Sequence, residues 1–173
     1  MNYAEIKKCD IADGPGVRVS LFVSGCSHHC KGCFNEEAWD FSYGKPFTQE
    51  TCEMLAGLLA SEYIKGLTLL GGEPLEPANQ KALLPFLRMV REKLPQKSIW
   101  CYTGYIYGED GIHRPIPHLA ETDELLSMID VLVDGPFELD KKDISLLFRG
   151  SSNQRLIDLK KTRQAGRVIL WEA

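Results

Sequence analysis

A chain of 173 residues with 44% hydrophobic and 25% charged side chains has the size and balance of one soluble globular domain, expected to span residues 1–173. Its net charge of −4 removes the electrostatic case for nucleic acid, which attracts clustered positive charge. No window approaches the roughly 20 apolar residues of a membrane helix, and Glu5, Lys7, Lys8 and Asp10 interrupt any signal-peptide core.

Tyr3 to Ile11 reads as a short strand, ended by Asp13-Gly14-Pro15-Gly16, where two glycines around a proline dictate a tight turn. Val17, Val19, Leu21 and Val23 then alternate with Arg18 and Ser20, a strand pattern. The stretch Cys26-Ser27-His28-His29-Cys30-Lys31-Gly32-Cys33 leaves the C-terminal end of that strand, where α/β proteins commonly place ligand chemistry. Thr48 is the expected N-cap, with Glu50 in the first turn, of a helix whose apolar stripe is Cys52, Leu55, Ala56 and Leu59. Leu67 to Leu70, bounded by Gly66 and Gly71, reads as a buried strand, and Gly71-Gly72-Glu73-Pro74 as the loop after it. A helix follows with Leu83, Leu87, Val90 and Leu94 on one face, and Pro85 marks its kink or its beginning. Ser98 to Thr103 is the next strand, Tyr105 to His118 a loop, Leu125 to Ile129 a short helix, and Asp130 to Asp134 a strand. Leu156 to Leu159, a turn at Gly166 and a last strand from Val168 to Trp171 close the chain. The alternation predicts an α/β fold, a parallel sheet with crossover helices. A full eight-unit barrel takes ~250 residues, about 31 per unit, so this chain holds about five to six units, an open partial (βα) barrel.

Three thiols at separations of four and three residues can turn inward onto one inorganic object. Reduced thiolates are soft ligands that suit zinc, copper(I) or iron–sulfur clusters, and six cysteines without a secretory signal point to the reducing cytoplasm. The set is one Cys short of the four that a [4Fe–4S] cluster normally takes, so either another ligand completes it or one iron is left open. The rival is a zinc-stabilised binding module in which His28 or His29 completes a Cys3His site. Zinc modules usually present a second, distant ligand pair, whereas Cys9, Cys52 and Cys101 stand alone. The spacing predicts that Cys26, Cys30 and Cys33 are each needed for the metal and that the other three are not. The Gly71–Pro74 loop is no P-loop, because Lys-Ser/Thr is absent; its glycines let backbone approach a ligand closely and Pro74 stiffens the exit. Thr103 and Asp134 each end a predicted strand and so face the same mouth.

The Cys-x3-Cys-x2-Cys spacing resembles the signature of the radical S-adenosylmethionine family. Asp13-Gly14-Pro15-Gly16, Gly71-Gly72-Glu73-Pro74 and the run Arg149 to Gln154, in that order, resemble the branch of it that activates anaerobic (class III) ribonucleoside-triphosphate reductases, over about Met1 to Gln154. The resemblance implies an open partial barrel of the radical S-adenosylmethionine type. It implies that Cys26, Cys30 and Cys33 hold a [4Fe–4S] cluster whose open iron S-adenosylmethionine chelates. Gly71, Gly72, Glu73 and Pro74 would hold the methionine amino group, and Thr103 and Asp134 the cofactor or a cation. Many family members carry an aromatic just before the third Cys; here Gly32 takes that place and Phe34 follows, so Gly32, Cys33 and Phe34 flank the cofactor. The chemistry implied is entry of an electron from a low-potential donor such as flavodoxin into a cluster whose class reaches roughly −700 mV. Cleavage of the S–C5′ bond then gives a 5′-deoxyadenosyl radical, which removes a glycine Cα hydrogen from the large subunit of the reductase. No acid–base residue is required. Gly72→Val is expected to spare the cluster and impair cofactor cleavage, and Arg149 to Gln154 to serve the partner more than the cofactor.

Overall fold

The computed structural model describes residues 1–173. Seven strands are β1 (Asn2–Asp10), β2 (Val17–Val23), β3 (Lys45–Pro46), β4 (Ile64–Gly71), β5 (Ser98–Tyr102), β6 (Val131–Asp134) and β7 (Arg155–Asp158). Four helices are α1 (Gln49–Leu59), α2 (Pro77–Lys93), α3 (Thr122–Ser127) and α4 (Leu159–Ala165). The strands form one sheet in the order β3-β1-β2-β4-β5-β6-β7. Its centre, β2-β4-β5-β6, is parallel and built by crossovers through α1, α2 and α3, but β1, β3 and β7 run antiparallel to their neighbours. The all-parallel expectation is corrected at both edges: the turn from β1 to β2 is too short for a crossover and permits only antiparallel pairing, while the chain between β6 and β7 forms no crossover α-helix and returns antiparallel.

Strand alternation divides the sheet into two faces. Val19, Leu21, Val23, Leu67, Leu69, Ile99 and Leu132 meet Leu55, Leu59, Leu83, Leu87 and Val90 of the helices in one core of 22 buried residues. On the other face Trp100, Val131 and Val133 pack with Phe148, Leu156 and Trp171. That second face also buries Arg18 completely. Its guanidinium donates to Thr68 Oγ1 (2.8 Å), Ser98 Oγ (2.9 Å), Leu67 O (2.8 Å) and Ser98 O (3.1 Å), tying three parallel strands, β2, β4 and β5, together. Burial without a carboxylate partner draws its pKa down to about 10.

Several local expectations change for identifiable reasons. Gly66 does not bound β4 but lies inside it, because a Cβ there would land on the Ser98 carbonyl oxygen and 2.8 Å from Arg18 Nη2. α2 begins at Pro77, a favoured first-turn position, and Pro85 sits in its middle on the exposed side. Burial of Leu83, Leu84, Phe86, Leu87 and Val90 offsets the ~3 kcal/mol that an internal proline costs. Val168 to Trp171 forms only an isolated bridge, Ile157 with Leu170, beside β7. The helix that turns the chain back toward it, α4, was not expected, although Asp158 caps it by accepting from Lys161 N–H at 2.9 Å. Thr48 does cap α1, in a reciprocal arrangement with Thr51.

Candidate metal centre

The loop after β2 is laced to the loop after β4 before any cysteine side chain is considered. Gly72 N–H donates to Val23 O (2.7 Å), Glu73 N–H to Gly25 O (2.8 Å), Gly25 N–H to Ala38 O (2.7 Å) and Cys26 N–H to Trp39 O (3.2 Å). Asn79 Nδ2 bridges Ser24 O (3.0 Å) and Glu73 O (2.9 Å). Glu76, at the N-terminus of α2, accepts from both Ser27 N–H (2.7 Å) and Ser27 Oγ (2.6 Å). A Cβ on Gly72 would lie 2.6 Å from Gly25 O and 2.9 Å from Ala38 O. Gly72 thus makes room for the backbone of the cysteine loop itself, so a valine there disturbs that loop instead of sparing it.

Glu73 is buried and fills its acceptor positions with protein donors. His28 Nε2 donates at 2.7 Å, Leu75 N–H at 2.9 Å, Thr103 Oγ1 at 2.8 Å and Gly104 N–H at 2.7 Å. A carboxylate offers only acceptors, so Nε2 carries the His28 proton. The side chain of the loop expected to meet a methionine amino group lines the cavity and ties the cysteine loop to the end of β5.

These contacts leave a cavity of about 480 Å³ at the C-terminal ends of β2, β4 and β5, of the size small-molecule sites take. Cys26, Cys30 and Cys33 all line it, as do Phe34, Gly71, Gly72, Glu73 and Thr103. Gly32 and Pro74 stand behind that lining, Gly32 in a left-handed turn (φ +76°) against Leu139. Asp134 is turned away: its carboxylate is buried against Arg155 Nε (3.0 Å) and Tyr107 N–H (2.8 Å), fastening β6 to β7 and to the 105–118 loop. The cavity wall also includes Asp13, Trp39, Phe137, Gly150 and Gln154. Of these, Asp13, Gly150 and Gln154 sit in motifs visible in the sequence, whereas Trp39 and Phe137 carried no spacing signal. Gln154 holds the Arg149–Gln154 run in shape, its Oε1 accepting from Gly150 N–H (2.9 Å) and Ser151 N–H (3.1 Å).

The donor set fits an iron–sulfur cluster. Three soft thiols share one wall, and Cys9, Cys52 and Cys101 lie elsewhere, none of them on the cavity. A cubane takes its thiolates at separate corners, which suits three cysteines spread along one cavity wall. Burial pushes the Cys26 thiol up to about 11 against the opposing pull of the His28 and His29 amides; a bound cationic centre reverses that preference and favours the thiolate.

Fold and cavity together define a cluster-binding α/β protein, and the 4Fe-4S single cluster domain family matches residues 12–157. The chain is 44% identical over 159 residues to the anaerobic ribonucleoside-triphosphate reductase-activating protein of Pasteurella multocida, covering 89% of this chain and 95% of that one. It is 44% identical over 156 residues to the protein of that name from enterobacteria phage T4 (90% and 93%) and 42% identical over 156 residues to that of Escherichia coli (89% and 96%). The chain belongs to the family of anaerobic ribonucleoside-triphosphate reductase-activating proteins.

Proposed function

We propose that this chain, folding as one domain over residues 1–173, is the activating enzyme of an anaerobic ribonucleoside-triphosphate reductase and generates a glycyl radical on the reductase large subunit. The observation that carries this reading is the single cavity lined by Cys26, Cys30, Cys33 and the Gly71–Glu73 loop, in a chain of the activating-protein family. Cys26, Cys30 and Cys33 would hold a [4Fe–4S] cluster, and with only three protein ligands one iron would remain for S-adenosylmethionine. When bound, the two cofactors supply reductive cleavage of a sulfonium and the hydrogen-abstracting power that follows.

The protein's own part is to bind, orient and keep the site dry. Glu73 and Glu76 lock His28 and Ser27, so the cysteine loop holds its shape against the strand ends. Phe22, Leu70, Trp39 and Phe137 present apolar walls to the cavity, limiting water where a radical must survive. No acid–base step is asked of any side chain. The sheet, with its four parallel central strands, is read as an open partial barrel of the radical S-adenosylmethionine type. A low-potential donor such as flavodoxin delivers the electron, and the cytoplasm is the setting. No helix is long and apolar enough to cross a membrane. The zinc-module alternative is set aside, since the matching family is a 4Fe-4S one.

The test is anaerobic incubation of the iron-loaded protein with the reductase, S-adenosylmethionine and dithionite, read by electron paramagnetic resonance. A doublet from a carbon-centred radical on the reductase is expected. A colourless protein holding one zinc, or no radical with any anaerobic reductase, overturns the proposal.

A further inference from the structure

Between β6 and β7 the chain makes an excursion, residues 137–150, whose backbone is ordered at both root and tip. At the root Lys142 and Ser151 form an antiparallel bridge, Asp143 N–H donates to Gly150 O (3.2 Å) and Ser152 N–H to Lys141 O (3.0 Å). The Tyr102 hydroxyl donates to Phe148 O at 2.7 Å, and the Phe148 ring packs edge-on to Trp100 with centroids 5.4 Å apart. At the tip the Asp143 carboxylate accepts from Ser145 N–H (2.8 Å) and Ser145 Oγ (2.5 Å). A segment so well tied could tuck its apolar side chains inward. Instead Ile144 is 94% exposed, Leu147 55% and Leu139 45%.

The cysteine loop adds Phe34, 79% exposed, whose ring lies 5.7 Å from Phe137 and 5.1 Å below the Lys142 ammonium. Leu139 closes the gap on the other side, where a Cβ on Gly32 would come 2.9 Å from Leu139 Cδ1. Single exposed apolar residues are ordinary. Here they stand along one stretch of ordered chain whose ends, Phe137 and Gly150, line the cavity together with Phe34. The excursion and Phe34 therefore both reach the rim of the cavity.

We infer that Phe34, Leu139, Ile144 and Leu147 form a docking lip on which the anaerobic reductase seats while its glycine-bearing segment enters the cavity. The inference rests on the reading of the chain as that reductase's activator. A hydrogen on a polypeptide glycine reaches the cysteines only if the polypeptide comes to the mouth, so its carrier must cover the rim. Asp140, Lys141 and Asp143 interrupt the apolar residues with both signs of charge, the pattern of an apolar protein contact with a polar border, not the single-sign patch that nucleic acid selects. Pre-ordered backbone means that docking immobilises little that was free, which favours the contact.

The experiment compares the iron-loaded wild type with an Ile144→Asp/Leu147→Asp double variant, neither residue being part of the cavity. Expected is reductase affinity at least about tenfold weaker in the variant, as removal of a central apolar anchor gives. Iron content and dithionite-driven cofactor cleavage without reductase should be unchanged. In the wild type, reductase should slow hydrogen exchange of amides 143–148. Equal affinity of both proteins, or no change in exchange, overturns the lip and leaves the activator reading intact. Failure of the wild type to bind reductase overturns both. A wild-type dimer that the variant dissociates, with reductase affinity unchanged, gives the surface to a second copy of this chain and also overturns the proposal.

Discussion

Glu73 gathers donors from three separate stretches of chain: His28 in the cysteine loop, Leu75 in its own loop, and Thr103 and Gly104 after β5. Replacing one oxygen by an amide sets an N–H₂ group against two donors and removes the charge that strengthens the remaining bonds. Hydrogen bonds to charged groups contribute about 1.5–3 kcal/mol each, so Glu73→Gln should destabilise the iron-free protein by about 3 kcal/mol in anaerobic denaturant unfolding. Iron uptake should fall with it, because His28 loses its anchor two residues from Cys26 and Cys30. An unfolding midpoint and iron content equal to the wild type would show that the carboxylate does not organise the site.

At the scale of elements, the turn from β1 to β2 holds two carboxyls together. Burial pushes Asp13 up to about 7, with a hydrogen bond and repulsion from Asp10 adding to the rise. Burial would raise Asp10 as well, but donors from Asp13, Ser20 (2.6 Å) and Ala12 N–H (2.8 Å) outweigh it and hold Asp10 below the usual carboxylate range. Unfolded, Asp13 releases its proton near ~3.9; folded, it keeps it until about 7. The folded chain therefore binds more protons across that window, and the stability contributed by this group falls as pH rises through it and stays lost above. The Asp10 contribution has the opposite sense and is lost only in acid, below that window. Asparagine at position 13 can donate to Asp10 at every pH. The Tm of Asp13→Asn relative to the wild type should accordingly rise between pH 5 and pH 8, and a difference independent of pH would sink the shared-proton description.

For the whole molecule, the face of the sheet opposite α1 and α2 is closed by parts far apart in sequence. Trp171 packs on Trp100 (4.9 Å between centroids) and approaches Phe148 (6.1 Å), while its N–H donates to Leu156 O at 2.8 Å. The C-terminal segment thus supports the root of the 137–150 excursion. Trp171→Ala removes a large, partly buried ring and should cost about 2 kcal/mol. It should also speed hydrogen exchange around Phe148 more than in β2 or β4. Uniform loss of protection across the sheet would mean that the tail stabilises the fold globally and does not specifically brace that root.

Much was already decided along the chain. The alternation of Val17, Val19 and Leu21 with Arg18 and Ser20 in β2, the cap and stripe of α1, and three thiols within eight residues are local patterns set by the 2.0 and 3.6 periodicities and by ligand spacing. They located the metal loop at a strand end, and family resemblance ordered the remaining motifs around it. Other outcomes depended on partners remote in sequence. Arg18 reads only as a polar position of an alternating strand until Thr68 and Ser98 take its guanidinium, and Gly66 reads as a boundary until the Ser98 carbonyl crowds it. Asp134 ends its strand as expected, yet Arg155 across an antiparallel pair takes its carboxylate away from the cavity. Glu73 stays on the cavity wall while its carboxylate serves neighbouring loops. Periodicity fixes which way a side chain leaves its own backbone, but the charge, carbonyl or ring it meets arrives from another strand, and only the folded sheet brings the two together.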